Sequence, residues 1–274
     1  MPLVALTELR ERALAATLGL GFPETSAWEI VDHYLEADRR GRPSHGLSRL
    51  PWLAGLADFD PAARPDLVEE REAYQRWESG RAFGYVALAE VVRRQLEAPP
   101  ERARLVVVHD CFPTGMLGRF ARLLAEEGLV ALLTSTSPAR LSHPDGGPPL
   151  TGTNPLAAGF PSSDGRPVVV DVSMGKATYG DVMLGLAPQA DLVPFGGEQA
   201  HKSFALAVAL ELLVRSLAGA GGFGAVLVVA RPEADPVPAF RTRAAGARLP
   251  GDRPAAERAL EVSEDLWVWL LERS

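Results

Sequence analysis

Ser44, His45 and Arg49 bring a hydroxyl, an imidazole and a guanidinium into six residues of the stretch Asp38-Arg39-Arg40-Gly41-Arg42-Pro43-Ser44-His45-Gly46-Leu47-Ser48-Arg49-Leu50-Pro51. An imidazole gives or takes a proton near neutral pH, and a guanidinium holds a carboxylate through two parallel hydrogen bonds. Together they offer acid–base chemistry on a small acid. Pro43 pushes Arg42 away from helical geometry and Gly46 frees the backbone, so no helix runs through the stretch. The pattern predicts a bend that presents His45. The plainer alternative is a turn between helices whose histidine is merely capped.

Further along, Pro167-Val168-Val169-Val170 reads as a strand that ends on Asp171 and continues into Val172-Ser173-Met174-Gly175-Lys176. Asp171 could hydrogen-bond one ring nitrogen of His45, fixing its tautomer and stabilising the imidazolium; otherwise it caps the next segment. Ser173 and Gly175 are small enough to let the backbone approach a ligand. Pro194-Phe195-Gly196-Gly197 precedes His201-Lys202-Ser203 at the start of an apolar helix. A glycine pair ahead of a helix with a lysine in its first turn is a candidate phosphate-binding corner.

These stretches, with Thr151-Gly152-Thr153-Asn154-Pro155 and Arg248-Leu249-Pro250-Gly251-Asp252-Arg253, resemble in order the motifs of the malate/L-lactate dehydrogenase family. The resemblance implies an NAD(P)-dependent oxidoreductase that moves a hydride between nicotinamide and a small 2-oxo or 2-hydroxy acid, or a cyclic 2-imino acid. It implies a non-Rossmann α/β fold, with a helical N-terminal region and a mixed, largely antiparallel central sheet flanked by helices. It also implies a homodimer with NAD or NADP near the interface. On that likeness His45 is the proton donor, oriented by Asp171 and assisted by Ser44. Arg49 holds the substrate carboxylate, and Asn154 is a second substrate-binding residue. Ser137, Asp171, Ser173, Met174, Gly175, His201, Lys202, Pro250, Gly251 and Asp252 border the cofactor.

The chain departs from the family pattern in places. Members usually carry a second histidine in an Asn-x-x-His-Phe-Gly turn; here Asp110-Cys111-Phe112-Pro113-Thr114-Gly115 puts Pro113 at that position. Ser203 replaces a glycine, and the segments Gly180 to Pro194 and Gly224 to Arg248 are short. A second reading follows: a family member with impaired catalysis that binds a small acid or a nucleotide.

Other patterns are set aside. Gly219-Ala220-Gly221-Gly222-Phe223-Gly224 has the GxGxxG spacing, but it follows a helix and precedes a strand, the reverse of a dinucleotide-binding loop. His109-Asp110-Cys111 and His143 with Asp145 lack a paired set at zinc spacing, so a metal site is rejected. His33 is expected on the solvated side of its helix. There is no GxSxG elbow and no P-loop.

The elements that position these residues follow from periodicity. Helices are expected over 3–20, 27–39, 82–96, 115–127, 203–217 and 257–271, and strands over 105–108, 129–134, 167–171 and 225–230. Residues 52–76 read as irregular loop. Two units are expected: a helical region over 1–100 packed with 255–274, and an α/β cofactor-binding domain over 101–254. Strand–helix–strand order itself argues for an α/β layer.

At 274 residues with 47% hydrophobic composition, the chain can bury a sizeable core. A net charge of −7 argues against nucleic-acid binding. Cys111 is the only cysteine, so there is no internal disulfide and a reducing compartment fits. With neither a membrane span nor a signal-peptide layout in view, a cytoplasmic protein is expected. Lys176 and Lys202 are the only lysines, and both fall in motifs named above.

Overall fold

A computed structural model describes all residues from Met1 to Ser274. β1 (Leu3–Ala5) runs directly into α1 (Leu6–Gly19), and Pro23 starts α2 (Glu24–Arg39). Two short 3-10 turns, Pro43–His45 and Leu47–Arg49, then lead into α3 (Leu50–Ala54). β2 (Asp66–Arg71) and β3 (Tyr74–Glu78) form a hairpin, followed by α4 (Gly84–Glu97), β4 (Ala103–His109), α5 (Leu117–Glu126) and β5 (Val130–Ser135). After β6 (Leu156–Phe160) and β7 (Val168–Val172) come α6 (Tyr179–Met183), the long α7 (Ala200–Ala218) and β8 (Gly224–Ala230). α8 (Val237–Arg243), β9 (Ala259–Glu261) and α9 (Glu264–Leu271) close the chain.

The main sheet has seven strands in the order β2-β3-β4-β8-β5-β6-β7. Only β3 and β4 run parallel; the other neighbours are antiparallel. This mixed, largely antiparallel sheet, flanked by helices, is not the parallel sheet of a Rossmann fold. β1 and β9 pair separately, tying the two ends of the chain together.

Two hydrophobic cores result. In one, Leu9 and Ala13 of α1 meet Ile30, Val31 and Tyr34 of α2, with Leu47 and Leu50 of the bend and Leu266 and Leu270 of α9. In the other, Leu88 and Val91 of α4 and Phe120 and Leu124 of α5 cover the valines and leucines of β4, β5 and β8. β2, β3 and most of α4 lie with this second core, so the helical and sheet layers divide before residue 100.

The closing helix starts at Glu264 and not at 257, since Ala259–Glu261 pair with β1, and three further sequence expectations need correction. Residues 55–65 are irregular as expected, but 66–71 and 74–78 are strands: Gln75 and Trp77 alternate inward, while the charged Glu69, Glu70 and Arg71 occupy an edge strand. Such a strand keeps charge on its open side, which hides the alternation. β6 also escaped the reading, because Leu156-Ala157-Ala158-Gly159-Phe160 carries small residues beneath α5, where the Cβ of an alanine at Gly159 would come 2.2 Å from the Ala121 carbonyl oxygen. The third is His33, which is 1% exposed. α2 packs against both α1 and α4, so neither of its faces is wholly solvent-facing.

Candidate active site

α2 ends at Arg39, and the next residues turn sharply. Gly41 takes φ +68°, and a Cβ there would lie 2.9 Å from the Arg253 guanidinium carbon. Asp38 reaches across the bend, its Oδ2 accepting the Leu47 N–H at 2.8 Å. The fit demands glycine at position 46, whose Cβ would sit 1.9 Å from Asp38 Oδ1. Ser48 donates its hydroxyl to the Pro43 carbonyl at 2.6 Å. The expected bend is thus fixed from both ends. Burial drives the Asp38 carboxyl up to about 7, against the opposing pull of the Leu47 N–H.

His45 is presented at the centre of this bend, with Ser44 Oγ 3.2 Å from its Nδ1. Behind Ser44 stands α6. Thr178 and Asp181 cap its start reciprocally: the Asp181 N–H donates to Thr178 Oγ1 at 3.2 Å, and the Thr178 N–H donates to Asp181 Oδ2 at 2.8 Å. Gly180 lets α6 close on the bend, since a Cβ there would be 2.4 Å from the Ser44 carbonyl oxygen. Burial pushes the Asp181 carboxyl up, but hydrogen bonds from Thr178 and from the Ser44 hydroxyl, with the nearby His45, hold it below the usual carboxylate range. Burial, followed by the charges of Arg49 and Arg42, lowers His45 to about 4, although Asp181 pulls the other way. His45 is therefore a neutral imidazole at pH 7.

Arg49 is a cation without a carboxylate. Its guanidinium lies 3.9 Å from the centre of the Trp52 ring, and its Nη1 is 3.0 Å from Met183 Sδ. A guanidinium held by an aromatic face and a thioether keeps donors free for an acid.

The bend forms one wall of a cavity of about 840 Å³, within the size range of small-molecule sites. Ser44, His45, Arg49, Ser137, Asp171, Ser173, Pro250 and Gly251 all line it. Asp171, however, meets α5 instead of His45: its Oδ2 accepts the Gly118 N–H at 2.7 Å. It opens to the cavity on one side, and the protein enclosing the other raises its carboxyl to about 6. Gly251, at φ +88°, sits tight on β7, where the Val169 N–H donates to the Pro250 carbonyl at 3.1 Å.

The remaining predicted residues lie off the cavity. Asn154 spends its side-chain amide on the Ala207 carbonyl and on Glu211 Oε2, at 3.2 and 2.7 Å, and so ties β6 to α7. Met174 packs with Leu141 and Ala207, and Gly175 bridges to Pro194. Asp252 accepts from Arg241 Nη1 and the Leu249 N–H, at 2.8 and 2.9 Å, holding its own turn. His201 and Lys202 are exposed on the first turn of α7. Sequence reasoning missed Asp181, Tyr85, Arg42 and Arg140. Of these only Asp181 left a signal, the Thr178-x-x-Asp181 spacing of a capping box.

Pro113, at the position where the resemblance leads one to expect a histidine, lines the cavity. Beneath the same turn lies His33, whose Nε2 accepts the Met116 N–H at 2.9 Å among the rings of Tyr34, Tyr85 and Phe120. Burial, with a smaller push from Arg119, keeps His33 neutral.

Comparison with known proteins identifies the family and the fold. Residues 4–189 match the family model described as malate/L-lactate dehydrogenase. The (2R)-3-sulfolactate dehydrogenase (NADP+) of Chromohalobacter salexigens is 32% identical over 188 residues, 66% of this chain and 56% of that protein. The Δ1-pyrroline-2-carboxylate/Δ1-piperideine-2-carboxylate reductase of Pseudomonas putida is 30% identical, covering 79% of this chain and 71% of the relative. Among solved structures, a dehydrogenase from Sinorhizobium meliloti superposes with a TM-score of 0.82 at 26% identity over 99% of both chains. A Δ1-piperideine-2-carboxylate reductase from Pseudomonas syringae gives 0.82 at 22% identity over the whole of both, a likeness of fold.

Proposed function

The chain belongs to the malate/L-lactate dehydrogenase family and is an NAD(P)-dependent oxidoreductase, and we propose that it acts on a small 2-oxo or 2-hydroxy acid, or a cyclic 2-imino acid, at the His45 bend. The observation that carries this is Ser44 Oγ at 3.2 Å from His45 Nδ1, with Asp181 in the same cavity wall, beside an Arg49 that has no acid of its own.

The walls of the cavity fit a dinucleotide. Hydroxyls of Ser137, Thr153 and Ser173 offer hydrogen bonds, and Arg40, Arg122 and Arg253 supply positive charge for phosphates. When bound, the nicotinamide supplies or accepts the hydride at the substrate's C2 carbon. Arg49 takes the substrate carboxylate. With the Ser44 hydroxyl turned to donate toward Asp181, Ser44 Oγ accepts from His45 Nδ1–H and the lone pair of Nε2 is left for the substrate. In oxidation, neutral His45 receives the proton of the substrate hydroxyl. In reduction, a carboxylate on Arg49 cancels one of the charges that depress His45, which then takes up a proton and delivers it to the carbonyl oxygen or imine nitrogen of the substrate.

α7 supports a homodimer. Leu206, Leu212, Leu213 and Leu217 are exposed on it, and His201 and Lys202 at its start lie outside their own chain's cavity. No helix of the chain is long and apolar enough to cross a membrane.

Fluorescence titration with NADH and NADPH, followed by steady-state reduction of pyruvate, oxaloacetate and Δ1-piperideine-2-carboxylate, tests the reading. Binding with turnover of one of them is expected. Binding without turnover would favour an impaired binder, the outcome to which Pro113 points. Failure to bind either nucleotide at millimolar concentration would end the proposal.

A further inference from the structure

Glu36, Arg40 and Arg122 line the cavity around His45 and also a second one, of about 460 Å³, between α1, α2 and α5. Three more arginines, Arg10, Arg39 and Arg119, face this second cavity, against only Asp32, Glu36 and Glu126. A concave surplus of two positive charges is unusual in a chain whose net charge is −7. Internal pairing does not exhaust it. Arg10 pairs with Asp32 at 3.0 Å, but Arg40, Arg119 and Arg122 share Glu36, at 2.9, 2.8 and 3.5 Å, with only distant second partners, Glu29 at 3.9 Å for Arg119 and Glu126 at 4.0 Å for Arg122. Arg39 has no carboxylate at all and gives only its Nε to the Ala256 carbonyl, at 2.7 Å. Burial and the charge of Arg40 hold Arg122 below its usual range, a cost that an added anion would relieve.

We infer that this second cavity binds a phosphate monoester dianion. Its negative charge meets Arg39, which has no carboxylate, and the three arginines that share Glu36, and planar guanidinium forks meet phosphate oxygens in pairs. The shared wall admits two sources. One is the 2′-phosphate of NADP reaching through from the His45 cavity, which rests on the function proposed above. The other is a free phosphate group entering from solvent past Arg10.

Isothermal titration of the full chain with adenosine 2′,5′-bisphosphate, adenosine 5′-monophosphate and inorganic phosphate separates the two. Arg39→Gln is the informative variant, because Arg39 stands outside the His45 cavity and its loss breaks no ion pair. Arg10→Gln serves the same comparison if Arg39→Gln lowers the melting temperature. For the cofactor source, wild type binds the bisphosphate at least tenfold tighter than the monophosphate, and the variant loses that margin while NADH binding is unchanged. For the free source, inorganic phosphate binds alone, weakens at least fivefold in the variant, and leaves the bisphosphate affinity untouched. Absence of both the margin and phosphate binding overturns the site, even if NADH still binds and turns over. Phosphate binding without binding of either nucleotide sinks only the dehydrogenase reading and leaves the site standing.

Discussion

His33 and His45 are both enclosed and both held neutral by burial, yet their second nitrogens differ. His33 accepts a backbone N–H with Nε2 and turns the rest of its ring to Tyr34, Tyr85 and Phe120. His45 has a hydroxyl on Nδ1, a carboxylate beyond that hydroxyl, and a cavity beside its ring. Burial alone marks neither histidine as functional. What separates them is a hydroxyl on one nitrogen and a cavity against the ring, which proton transfer to a ligand requires.

The largest effect that would test this contrast is at His45. His45→Ala should lower turnover ~100- to 10,000-fold and leave NADH binding within a few-fold, since the side chain serves the substrate. Equal loss of nucleotide binding would show that the bend had collapsed and would void the assignment.

Asp181→Asn comes next. Losing the charged partner of the Ser44 hydroxyl should cost about 1.5–3 kcal/mol of hydrogen-bond energy, or roughly ten- to a hundredfold in rate. Asp181 raises His45 and the variant does not, so the ionisation of His45 near 4 should move lower still. In the oxidation direction kcat/KM rises as His45 loses its proton, and that acid limb should shift down in pH. A fall in rate with an unmoved limb would leave Asp181 as a structural cap of α6 only.

How much of this was legible depends on how local each signal is. The bend was readable because Pro43 and Gly46 act on their own neighbours. The apolar runs of β4 and β8 were readable because largely covered strands are continuously apolar, whereas β7 is an edge strand whose β-branched composition gave it away. Asp181 was overlooked because α6 is only five residues long and shows no periodicity. His33 was misplaced because one helix wheel cannot reveal that α4 closes over the second face of α2. Lys202 does start a helix after a glycine pair, but the direction of α7 is set by its packing on the sheet, and its first turn points outward.

On the other side of the contrast, His33→Leu should spare catalysis and lower stability. It orphans the Met116 N–H at a cost of about 1–3 kcal/mol. The folded-state pKa of His33 is depressed, so unfolding takes up a proton and wild type loses stability as pH falls through 6.5. The variant should lose less over the same interval in urea denaturation. Turnover per folded molecule falling more than about tenfold would give His33 a share in the chemistry.

Asp38→Asn should disturb the rate least, because an amide oxygen can still accept the Leu47 N–H and the bend keeps its shape. Its signature is in stability. The Asp38 carboxyl is raised from about 3.8 to about 7 in the folded chain, so the folded state binds the proton more tightly than the unfolded one. Stability from this group is complete below the unfolded value and drains away as pH rises toward 7. Asparagine does not titrate. The stability of the variant relative to wild type should therefore climb between pH 5 and 7, by up to about 1.4 kcal/mol per pH unit, and level off above that. Denaturant midpoints at half-unit intervals would measure it. A difference that stays flat from pH 5 to 8 would mean that the carboxylate under Gly46 is already ionised, with solvent or a neighbour compensating its charge, and that the bend carrying His45 is looser than its contacts imply.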